Sequence, residues 1–426
     1  MSQPFSGGIA FPHDVENKAA TSALPIENFT PARLVIPLRQ GFGAACVPVV
    51  DVGQTVKKGQ LVGRPSEDGG TPVHCGISGT VRALSPMPVI GGEEVLCVTV
   101  ENDSFHTPEA PLSWNNTPEG IVCLMADAGL VGMGGAGFPT AVKFSTDKPI
   151  HQVLINGCEC EPYLTCDHRL MLQEAEKVIK GAQAMGRVVE AAVTICVEDN
   201  KPEAVEALRS KLGGNEDIEV RVLPTRYPQG AKKQLILAVT GREVAPGART
   251  GALFNVTTIY SICRAVYEGL PLTEKVVTVT GEGANEPKNV IVRIGTPLEE
   301  LLKFAGGMKE ETCKVVCGGP MMGTAQGDLS VPVVKGTNAV LCLTDPAPAA
   351  ENPTCIRCGK CLAACPMGLQ PLNMYRYVLA GDKAELQRLN LEDCMDCGCC
   401  AYVCPGRLPL VETFKAGKKL LKEGKR

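Results

Sequence analysis

Two short runs of cysteines near the carboxyl terminus constrain this chain more strongly than any other feature. The runs are Cys355-Ile-Arg-Cys358-Gly-Lys-Cys361-Leu-Ala-Ala-Cys365-Pro366 and Cys394-Met-Asp-Cys397-Gly-Cys-Cys400-Ala-Tyr-Val-Cys404-Pro405. In each run three cysteines are separated by two residues, and a fourth follows after three more and precedes a proline. The two-residue spacing lets a tight turn direct three thiolates at one iron–sulfur cube, so the pattern predicts two [4Fe-4S] clusters.

The fourth cysteine of such a run ligates the other cluster. We therefore predict a first quartet of Cys355, Cys358, Cys361 and Cys404, and a second quartet of Cys394, Cys397, Cys400 and Cys365. A zinc site would need only two Cys-x2-Cys pairs and would leave the third and fourth cysteines unexplained. Cys399, an additional thiol beside a ligand, is interpreted as a bystander. Two clusters held in this way lie close together, which indicates an electron-transfer protein.

The rest of the composition narrows the compartment and the partners. Twenty-one cysteines in 426 residues indicate a reducing compartment and metal ligation, not a framework of disulfides. The formal net charge of -4 argues against nucleic acid as a partner, because nucleic-acid binding requires a basic surface. The opening residues lack the apolar core of a signal peptide, and no stretch approaches the roughly 20 apolar residues of a membrane span. A cytoplasmic protein is predicted, unless a partner holds it at a membrane.

Changes in residue pattern divide the chain into four predicted domains, of which the first covers residues 1–115. This segment is rich in Gly, Pro and Val with short alternating runs, which predicts β structure. Within it, 49–63 and 77–81 resemble the two halves of a lipoyl-type barrel-sandwich domain. The intervening 64–72 contains no lysine that could carry a lipoyl or biotinyl group, so we expect a purely structural module.

Residues 116–255 alternate strand and helix patterns. Apolar strands are predicted at 153–155, 191–197 and 218–223, with amphipathic helices between them. Alternating strands and helices predict a mostly parallel sheet covered by helices, in a Rossmann-like α/β domain.

Residues 256–343 resemble the small β-grasp (SLBB-type) domain that accompanies NADH-dehydrogenase flavoproteins. A hairpin is predicted at 276–280 and 290–294, and Thr296-Pro-Leu-Glu299 is typical of a helix start with a capping box. A Pro- and Ala-rich linker then opens the last segment, 344–426, which contains both cysteine runs and is predicted to be a helical ferredoxin-like domain. The expected fold class is therefore multidomain, α/β plus α+β.

A glycine loop at 129–140 is the second candidate for chemistry, with five glycines within nine residues. A backbone free of side chains beside a helix start can approach a phosphate or a flat ring and offer N–H donors. Lys143 follows this loop, where it could neutralise a phosphate. Asn156, Glu159 and Glu161 come at the end of the next predicted strand, and ligands bind at the carboxyl ends of strands in open α/β sheets.

These two loops together are similar to those of the FMN- and NADH-binding subunit of respiratory complex I and NAD-linked hydrogenases. A closer resemblance is to the RnfC family, which belongs to the Rnf complex, the ion-translocating ferredoxin:NAD+ oxidoreductase of bacterial membranes. That resemblance is carried by the two loops, the double cysteine run and the segments 156–171, 227–235, 240–244 and 318–323. It covers nearly the whole chain.

The resemblance implies FMN as a cofactor and NAD(H) as a substrate. FMN would lie against Gly132, Gly134, Gly135 and Gly137, with Lys143 near its phosphate. A flavin is required because NADH gives up two electrons as hydride, whereas an iron–sulfur cluster accepts one electron at a time.

The resemblance also implies which side chains line the flavin and nicotinamide site. These are Asn156, Glu159 and Glu161, of which Glu161 is expected in the catalytic role. The pocket would be closed by Tyr227, Gly230, Asn255 and Thr258.

Two departures from the complex I pattern are expected to change how the nucleotide is held. Complex I subunits carry Arg where Met133 stands, so an ionic contact is missing there. A later Gly-Glu-Glu segment that helps to seat FMN is replaced by Tyr-Pro-Gln-Gly at 227–230.

By the same resemblance, the chain would be a peripheral subunit on the cytoplasmic side of the cell membrane. Its partners would be the membrane subunits of the Rnf complex and a ferredoxin-like iron–sulfur subunit, with ferredoxin reached indirectly. Two alternatives remain open. One is a soluble relative that passes electrons from NADH to a cytosolic reductase of the proline reductase type. The other is a non-catalytic iron–sulfur adaptor whose flavin fold is vestigial.

Overall fold

A computed structural model describes residues 5–135, 137–144, 150–244, 252–345, 351 and 353–423. Residues 5–25, which we call the amino-terminal strap, precede the first domain and cross several others. The strap contains two short helices, α1 (His13–Glu16) and α2 (Ala19–Ser22), and is followed by β1 (Ile26–Asn28). Strand β1 pairs in parallel with Lys288–Arg293 of the third domain, so the start of the chain belongs to more than one domain.

The first domain is a sandwich of two antiparallel sheets. One sheet has the order β2-β8-β7-β4 and the other β3-β5-β6. Their facing sides bury an apolar core that includes Leu34, Val62 and Val98. The strands are β2 (Arg33–Pro37), β3 (Val47–Pro48), β4 (Thr55–Val56), β5 (Leu61–Arg64), β6 (Val73–His74), β7 (Gly79–Pro88) and β8 (Glu94–Asn102).

The second domain is a four-stranded parallel sheet, in the order β11-β10-β9-β12, with helices packed against it. The strands are β9 (Val153–Gly157), β10 (Val193–Glu198), β11 (Ile218–Leu223) and β12 (Ala252–Asn255). The helices are α3 (Pro118–Asp127), α4 (Cys166–Gln173), α5 (Ala175–Val189), α6 (Pro202–Ser210), α7 (Lys232–Thr240) and α8 (Val256–Glu268). The three strands predicted from apolar runs are present, which confirms the parallel α/β arrangement.

Helix α8 belongs to this α/β layer, although the sequence-based division placed a domain boundary before it, at residue 255. Asn255 caps the helix, because its Oδ1 accepts a hydrogen bond from the Thr257 N–H at 2.8 Å. The helix packs against α5 at Gly181, where an added Cβ would clash with the Ile259 carbonyl oxygen. This close approach of backbones holds the start of α8 at the carboxyl edge of the sheet.

The third domain is a six-stranded mixed sheet, in the order β1-β14-β13-β17-β15-β16, with one helix. Its elements are β13 (Glu274–Thr280), β14 (Lys288–Arg293), α9 (Leu298–Phe304), β15 (Lys314–Cys317), β16 (Thr324–Gln326) and β17 (Ala339–Leu343). The predicted hairpin is confirmed as the antiparallel pair β13–β14. The predicted capping box is wrong, because the Thr296 hydroxyl donates to the Arg293 carbonyl at 2.7 Å and Pro297 is the N-cap.

The fourth domain contains five helices, and its backbone repeats with an offset of 39 residues. Three left-handed positions recur at that offset, as the pairs Arg357 and Asp396, Gly359 and Gly398, and Gly368 and Arg407. Left-handed turns at equivalent positions show that both cysteine runs fold in the same way. The helices are α10 (Lys360–Ala364), α11 (Pro371–Ala380), α12 (Lys383–Arg388), α13 (Cys399–Tyr402) and α14 (Leu410–Glu423).

Two glycines of α5 provide a matched test of how that helix packs. A Cβ at Gly181 would clash with α8, whereas at Gly186 the nearest atom would be a Val193 methyl carbon at 3.4 Å. We expect Gly181→Ala to lower the free energy of unfolding by about 1–3 kcal/mol through overpacking. We expect Gly186→Ala to raise it by about 0.5–1 kcal/mol, because alanine favours helix more than glycine does. Urea denaturation followed by circular dichroism measures both, and changes of the same sign would contradict this packing.

Candidate functional site

Several of the predicted site residues meet at the carboxyl edge of the parallel sheet. Asn156 ends β9 and Asn255 ends β12, and the two are direct partners in the pairing of these strands. The Met133 N–H of the glycine loop donates to the Thr258 hydroxyl at 3.0 Å. The loop, the two asparagines and the first turn of α8 therefore lie together, at the edge where open α/β sheets bind ligands.

The glycine loop folds back on itself. The Gly132 N–H donates to the Phe138 carbonyl at 2.8 Å, and the Gly137 N–H donates to the Gly132 carbonyl at 3.2 Å. Gly135 and Gly137 have φ values of +111° and +60°, which side chains rarely adopt. Gly137 also packs against Gly41 of the first domain, so this part of the loop is held by the fold itself.

Gly132 and Gly134 show a different requirement. An added Cβ at Gly132 would lie 3.7 Å from the Phe138 carbonyl oxygen, and one at Gly134 would lie 3.6 Å from Asn255 Cβ. Both are ordinary van der Waals distances, so the packing of the protein does not require glycine at either position. A backbone left bare without a packing reason fits a flat ring or a phosphate that approaches it closely.

Lys143 lies beside this bare backbone. Its Nζ would be 3.9 Å from a Cβ at Gly132, donates to the Leu253 carbonyl at 2.7 Å and lies 4.4 Å from the centre of the Phe254 ring. Burial, together with the nearby Lys232 ammonium, lowers the pKa of Lys143 to about 8. A buried ammonium without a carboxylate partner suits a phosphate, whose charge would compensate it.

Asn156 connects the end of β9 to a second loop, residues 224–231, which we call the linking loop. The Asn156 Nδ2 donates to the Gly230 carbonyl at 3.0 Å, and its Oδ1 accepts from the Cys158 N–H at 2.9 Å. A Cβ at Gly230 would lie 2.7 Å from that amide nitrogen, so only glycine allows the contact. Asn156 and Gly230 thus shape the site by joining two loops.

Glu159 faces the start of α4. Its Oε1 accepts from the Asp167 N–H at 2.7 Å and its Oε2 from the His168 N–H at 2.9 Å. A carboxylate at a helix amino terminus is stabilised by the unpaired N–H groups there. The structure thus gives Glu159 a helix-capping contact beside the site that was predicted for it.

Asp167 is a residue that the sequence-based selection missed. Its carboxylate accepts from Asn255 Nδ2 and from the Thr257 hydroxyl, both at 2.6 Å. Burial, followed by the adjacent charge of Glu159, raises the pKa of Asp167 to about 6. Its only sequence signal is its place in the segment 156–171, and it orients the amide of Asn255 at the sheet edge.

A buried ion pair was also missed. Glu198, the last residue of β10, and Lys201 are 2.8 Å apart, and both side chains are almost fully buried. The strap adds Lys18, whose Nζ donates to the Glu159 and Leu164 carbonyls. Local sequence gave no signal, because Lys18 reaches this edge from a separate segment.

Glu161 lies between the α/β domain and the third domain. Its Oε2 accepts from the Met321 N–H at 3.3 Å, while Oε1 is buried and has no hydrogen-bond partner among the described residues. Burial is the main cause that raises the pKa of Glu161 to about 7. A buried carboxyl that titrates near neutral pH is suited to exchanging a proton.

Tyr227 contacts the fourth domain, in contrast to the residues of the glycine loop. Its hydroxyl donates to the Cys397 carbonyl at 2.7 Å. Further along the chain, Gln234 Nε2 donates to the Pro366 carbonyl at 3.0 Å. The linking loop thus contacts Asn156 on one side and the cysteine runs on the other.

The second quartet surrounds one largely apolar cavity. Cys365, from the first run, lines it together with Cys394, Cys397 and Cys400 from the second run. The Cys365 Sγ also accepts a hydrogen bond from the Leu369 N–H at 3.4 Å. Four sulfurs around one cavity, with an N–H···S contact, fit a [4Fe-4S] cluster.

The first quartet shows the reciprocal exchange. Burial raises the pKa of Cys361, and the nearby thiols of Cys404 and Cys358 raise it further. Cys404 therefore lies with the first run, although it ends the second. The Cys355 Sγ accepts from the Arg357 N–H at 3.4 Å, which matches the contact in the second quartet.

Family comparisons agree with this architecture along most of the chain. Four family models match: the RnfC barrel sandwich hybrid domain at 3–105, the Nuo51 FMN-binding domain at 125–264, the SLBB domain at 276–325 and the 4Fe-4S dicluster domain at 347–405. These matches confirm the predicted fold class. FMN and [4Fe-4S] clusters are the cofactors of these domains, and the bare glycines and crossed quartets fit them. No helix in the described part of the chain is long and apolar enough to cross a membrane.

Curated relatives and a solved structure extend the comparison. The RnfC protein of the Na(+)-translocating ferredoxin:NAD(+) oxidoreductase complex of Acetobacterium woodii is 42% identical over 387 residues, which are 88% of this chain and 87% of that protein. The proton-translocating counterpart of Clostridium ljungdahlii is 41% identical, over 87% of this chain and 83% of that protein. An NAD+-reducing [NiFe]-hydrogenase in the air-oxidized state shares the fold, with a TM-score of 0.51 and 19% identity over 72% of this chain and 66% of its chain. The chain therefore belongs to the RnfC family, whose members are subunits of the ion-translocating ferredoxin:NAD(+) oxidoreductase complexes.

Proposed function

We propose that this chain is the NAD(H)-reactive electron-transfer subunit of a membrane-bound ferredoxin:NAD+ oxidoreductase of the Rnf type. The linking loop is the observation that carries the proposal. It contacts Asn156 at the sheet edge and Cys397 in the second quartet, so the nucleotide-binding edge and a cluster site share one short segment. The named relatives favour this function over that of a soluble relative serving a cytosolic reductase.

FMN, when bound, supplies the conversion between the two-electron chemistry of hydride and the single electrons of the clusters. Gly132 and Gly134 leave the backbone bare where the ring and phosphate approach. Lys143 provides a buried positive charge beside them for the phosphate. Asn255, held by Asp167, presents its side chain at the same edge.

Glu161 is proposed to hold the proton that accompanies the redox chemistry. Its Oε1 is buried and unpartnered among the described residues, and burial raises its pKa to about 7. Proton exchange at this atom therefore needs little free energy at neutral pH. The Met321 N–H on Oε2 fixes the orientation of the carboxyl group.

The immediate partners and the location are also proposed. The relatives are subunits of a complex, and we infer that this chain contacts its membrane subunits and a ferredoxin-like iron–sulfur subunit on the cytoplasmic side. The two relatives are named for different ions, sodium for one and protons for the other, at nearly equal identity to this chain. Overall similarity in this subunit therefore does not decide the coupling ion.

Anaerobic purification provides the first test of the function. We expect about one FMN and about eight irons per chain, and bleaching of both chromophores by NADH. Gly134→Val should lose FMN and the response to NADH but keep the irons, because the side chain fills the bare backbone site without a clash in the protein. A parent chain with almost no flavin after reconstitution would favour the non-catalytic adaptor instead.

Double cysteine variants test the crossed quartets. Cys361→Ser with Cys404→Ser removes two ligands of the first quartet, so about four irons should remain. Cys361→Ser with Cys365→Ser removes one ligand from each quartet, and both clusters should be lost. The opposite pattern of iron contents would show that each run binds its own cluster. Cys399→Ser serves as the control and should keep about eight irons.

The pH dependence of FMN binding tests Lys143. A phosphate favours the charged ammonium, and the pKa of Lys143 in the free protein is about 8. Affinity for FMN should therefore be highest below pH 8 and should fall as the pH rises above it, by up to about tenfold per pH unit. Quenching of flavin fluorescence measures the affinity.

Three controls separate this effect from others. Riboflavin lacks the phosphate, so its affinity should not follow Lys143, and Lys143→Met should remove the pH dependence for FMN. Lys232→Met should move the fall to higher pH, because the neighbouring charge that lowers the pKa of Lys143 is gone. An FMN affinity in the parent chain that is constant between pH 7 and 9.5 would contradict the phosphate contact.

A further inference from the structure

The two cysteine quartets have different surroundings. The second quartet lies against the α/β domain, since Tyr227 and Gln234 both donate hydrogen bonds to carbonyls of its loops. Cys397 and Cys400 of this quartet are buried. The second quartet is therefore the inner one, next to the linking loop.

The first quartet lies at the surface. Cys358 is exposed, and two apolar side chains of the same run, Ile356 and Leu362, are 66% and 45% exposed. Large exposed apolar side chains grouped around a redox centre are typical of a surface that another protein covers. An electron that reaches the first quartet is thus at the edge of the molecule.

The internal repeat shows what this kind of surface does when it is covered. At the offset of 39 residues, Ile356 corresponds to Met395 and Lys360 to Cys399. Met395 and Cys399 pack in one apolar cluster with Tyr227 of the α/β domain, and Cys399 is fully buried. The second run thus uses this face to dock onto a protein domain, and the equivalent face of the first run is open.

The charges on the two faces are opposite. Beside the second run, Asp393 forms an ion pair with Lys233 of the α/β domain at 2.9 Å, and Asp396 pairs with Lys418 at 2.7 Å. The position equivalent to Asp396 in the first run is Arg357, which is exposed. The inner face therefore offers carboxylates to a lysine, and the outer face offers cations.

Two further exposed cations complete the outer rim, Lys360 and Arg407. Arg407 lies beside the first run, because the preceding Gly406 packs directly against the Thr354 carbonyl. The stretches 353–363 and 404–409 contain no Asp or Glu. The outer face thus has an apolar centre with a purely cationic rim, which attracts and orients an acidic surface.

We propose that this open face, formed by Ile356, Arg357, Lys360, Leu362 and Arg407, docks a one-electron carrier protein that presents carboxylates around its own cofactor. The proposal rests on the proposed function and adds the exit point of the electrons and the chemistry of the acceptor. In the transfer, the cluster of the first quartet is oxidised by one electron and the cofactor of the carrier is reduced by the same electron. No bond forms or breaks, and no proton needs to move.

A small acidic two-cluster ferredoxin serves as the probe, with both proteins oxidised. Its affinity for the full chain is measured by isothermal titration calorimetry at low and high salt. Lys360→Glu with Arg407→Glu should weaken binding at least tenfold at low salt, and the difference should shrink in 1 M salt as the charges are screened. Lys383→Glu with Lys419→Glu changes the net charge equally on exposed residues outside the two runs, and should change affinity less than twofold.

Zero-length carbodiimide cross-linking provides an independent readout. This reagent joins an ammonium to a carboxylate in direct contact, so Lys360 should be the main lysine linked to the probe by mass spectrometry. Equal weakening by both charge-reversal pairs, or cross-links mainly at other lysines, would overturn the proposal. A cationic carrier such as cytochrome c that binds the parent chain as tightly as the acidic probe would also overturn it.

Iron content and circular dichroism are measured for each variant, so that a folding defect is recognised. Ile356→Ser provides a second variant without a charge change, and it should weaken binding about equally at low and high salt. Because binding is measured without NADH, its result is separate from the proposed function. An unreactive flavin would contradict that function, whereas an undirected ferredoxin interaction would contradict only the docking face.

Discussion

The structure depends on holding the carboxyl edge of a parallel sheet at a fixed place relative to a cysteine quartet. The linking loop provides this through Asn156 on one side and Cys397 on the other. The amino-terminal strap adds a second tie, because Ile9 exchanges two backbone hydrogen bonds with Tyr227 and the Gly8 N–H donates to the Ala364 carbonyl at 2.9 Å. Electron transfer requires such constancy, since the redox centres must keep their separation.

Buried charge is concentrated at the same edge. Glu159 caps α4, Asp167 holds Asn255, and Glu198 pairs with Lys201. Removing one partner of such a group is costly, about 3–5 kcal/mol for a buried ion pair, because the other charge stays buried without compensation. These contacts stabilise one arrangement of the loops and therefore position the bare backbone of the glycine loop before any ligand binds.

Sequence reasoning succeeded where the chemistry is local. The spacing of the cysteines predicts the ligand quartets, and the structure places Cys365 with the second run as the crossed pattern requires. The same reasoning was less informative for side chains whose partners are distant. Nothing around Glu159 indicated that its carboxylate would bind the amide groups of α4, and the hydroxyl of Thr296 turned to Arg293 instead of capping α9.

Short spacings and periodicity along the chain were enough to specify the four kinds of domain, the two clusters with their crossed ligands, and the glycine loop with its lysine. They could not specify which quartet faces the α/β domain and which faces outward. The two runs are nearly identical in pattern, so the difference comes from what packs on them in three dimensions. Tyr227 and Ile9 cover the second run, while Ile356 and Cys358 in the first run stay exposed. That asymmetry arises from contacts between segments far apart in the chain, which no local pattern encodes.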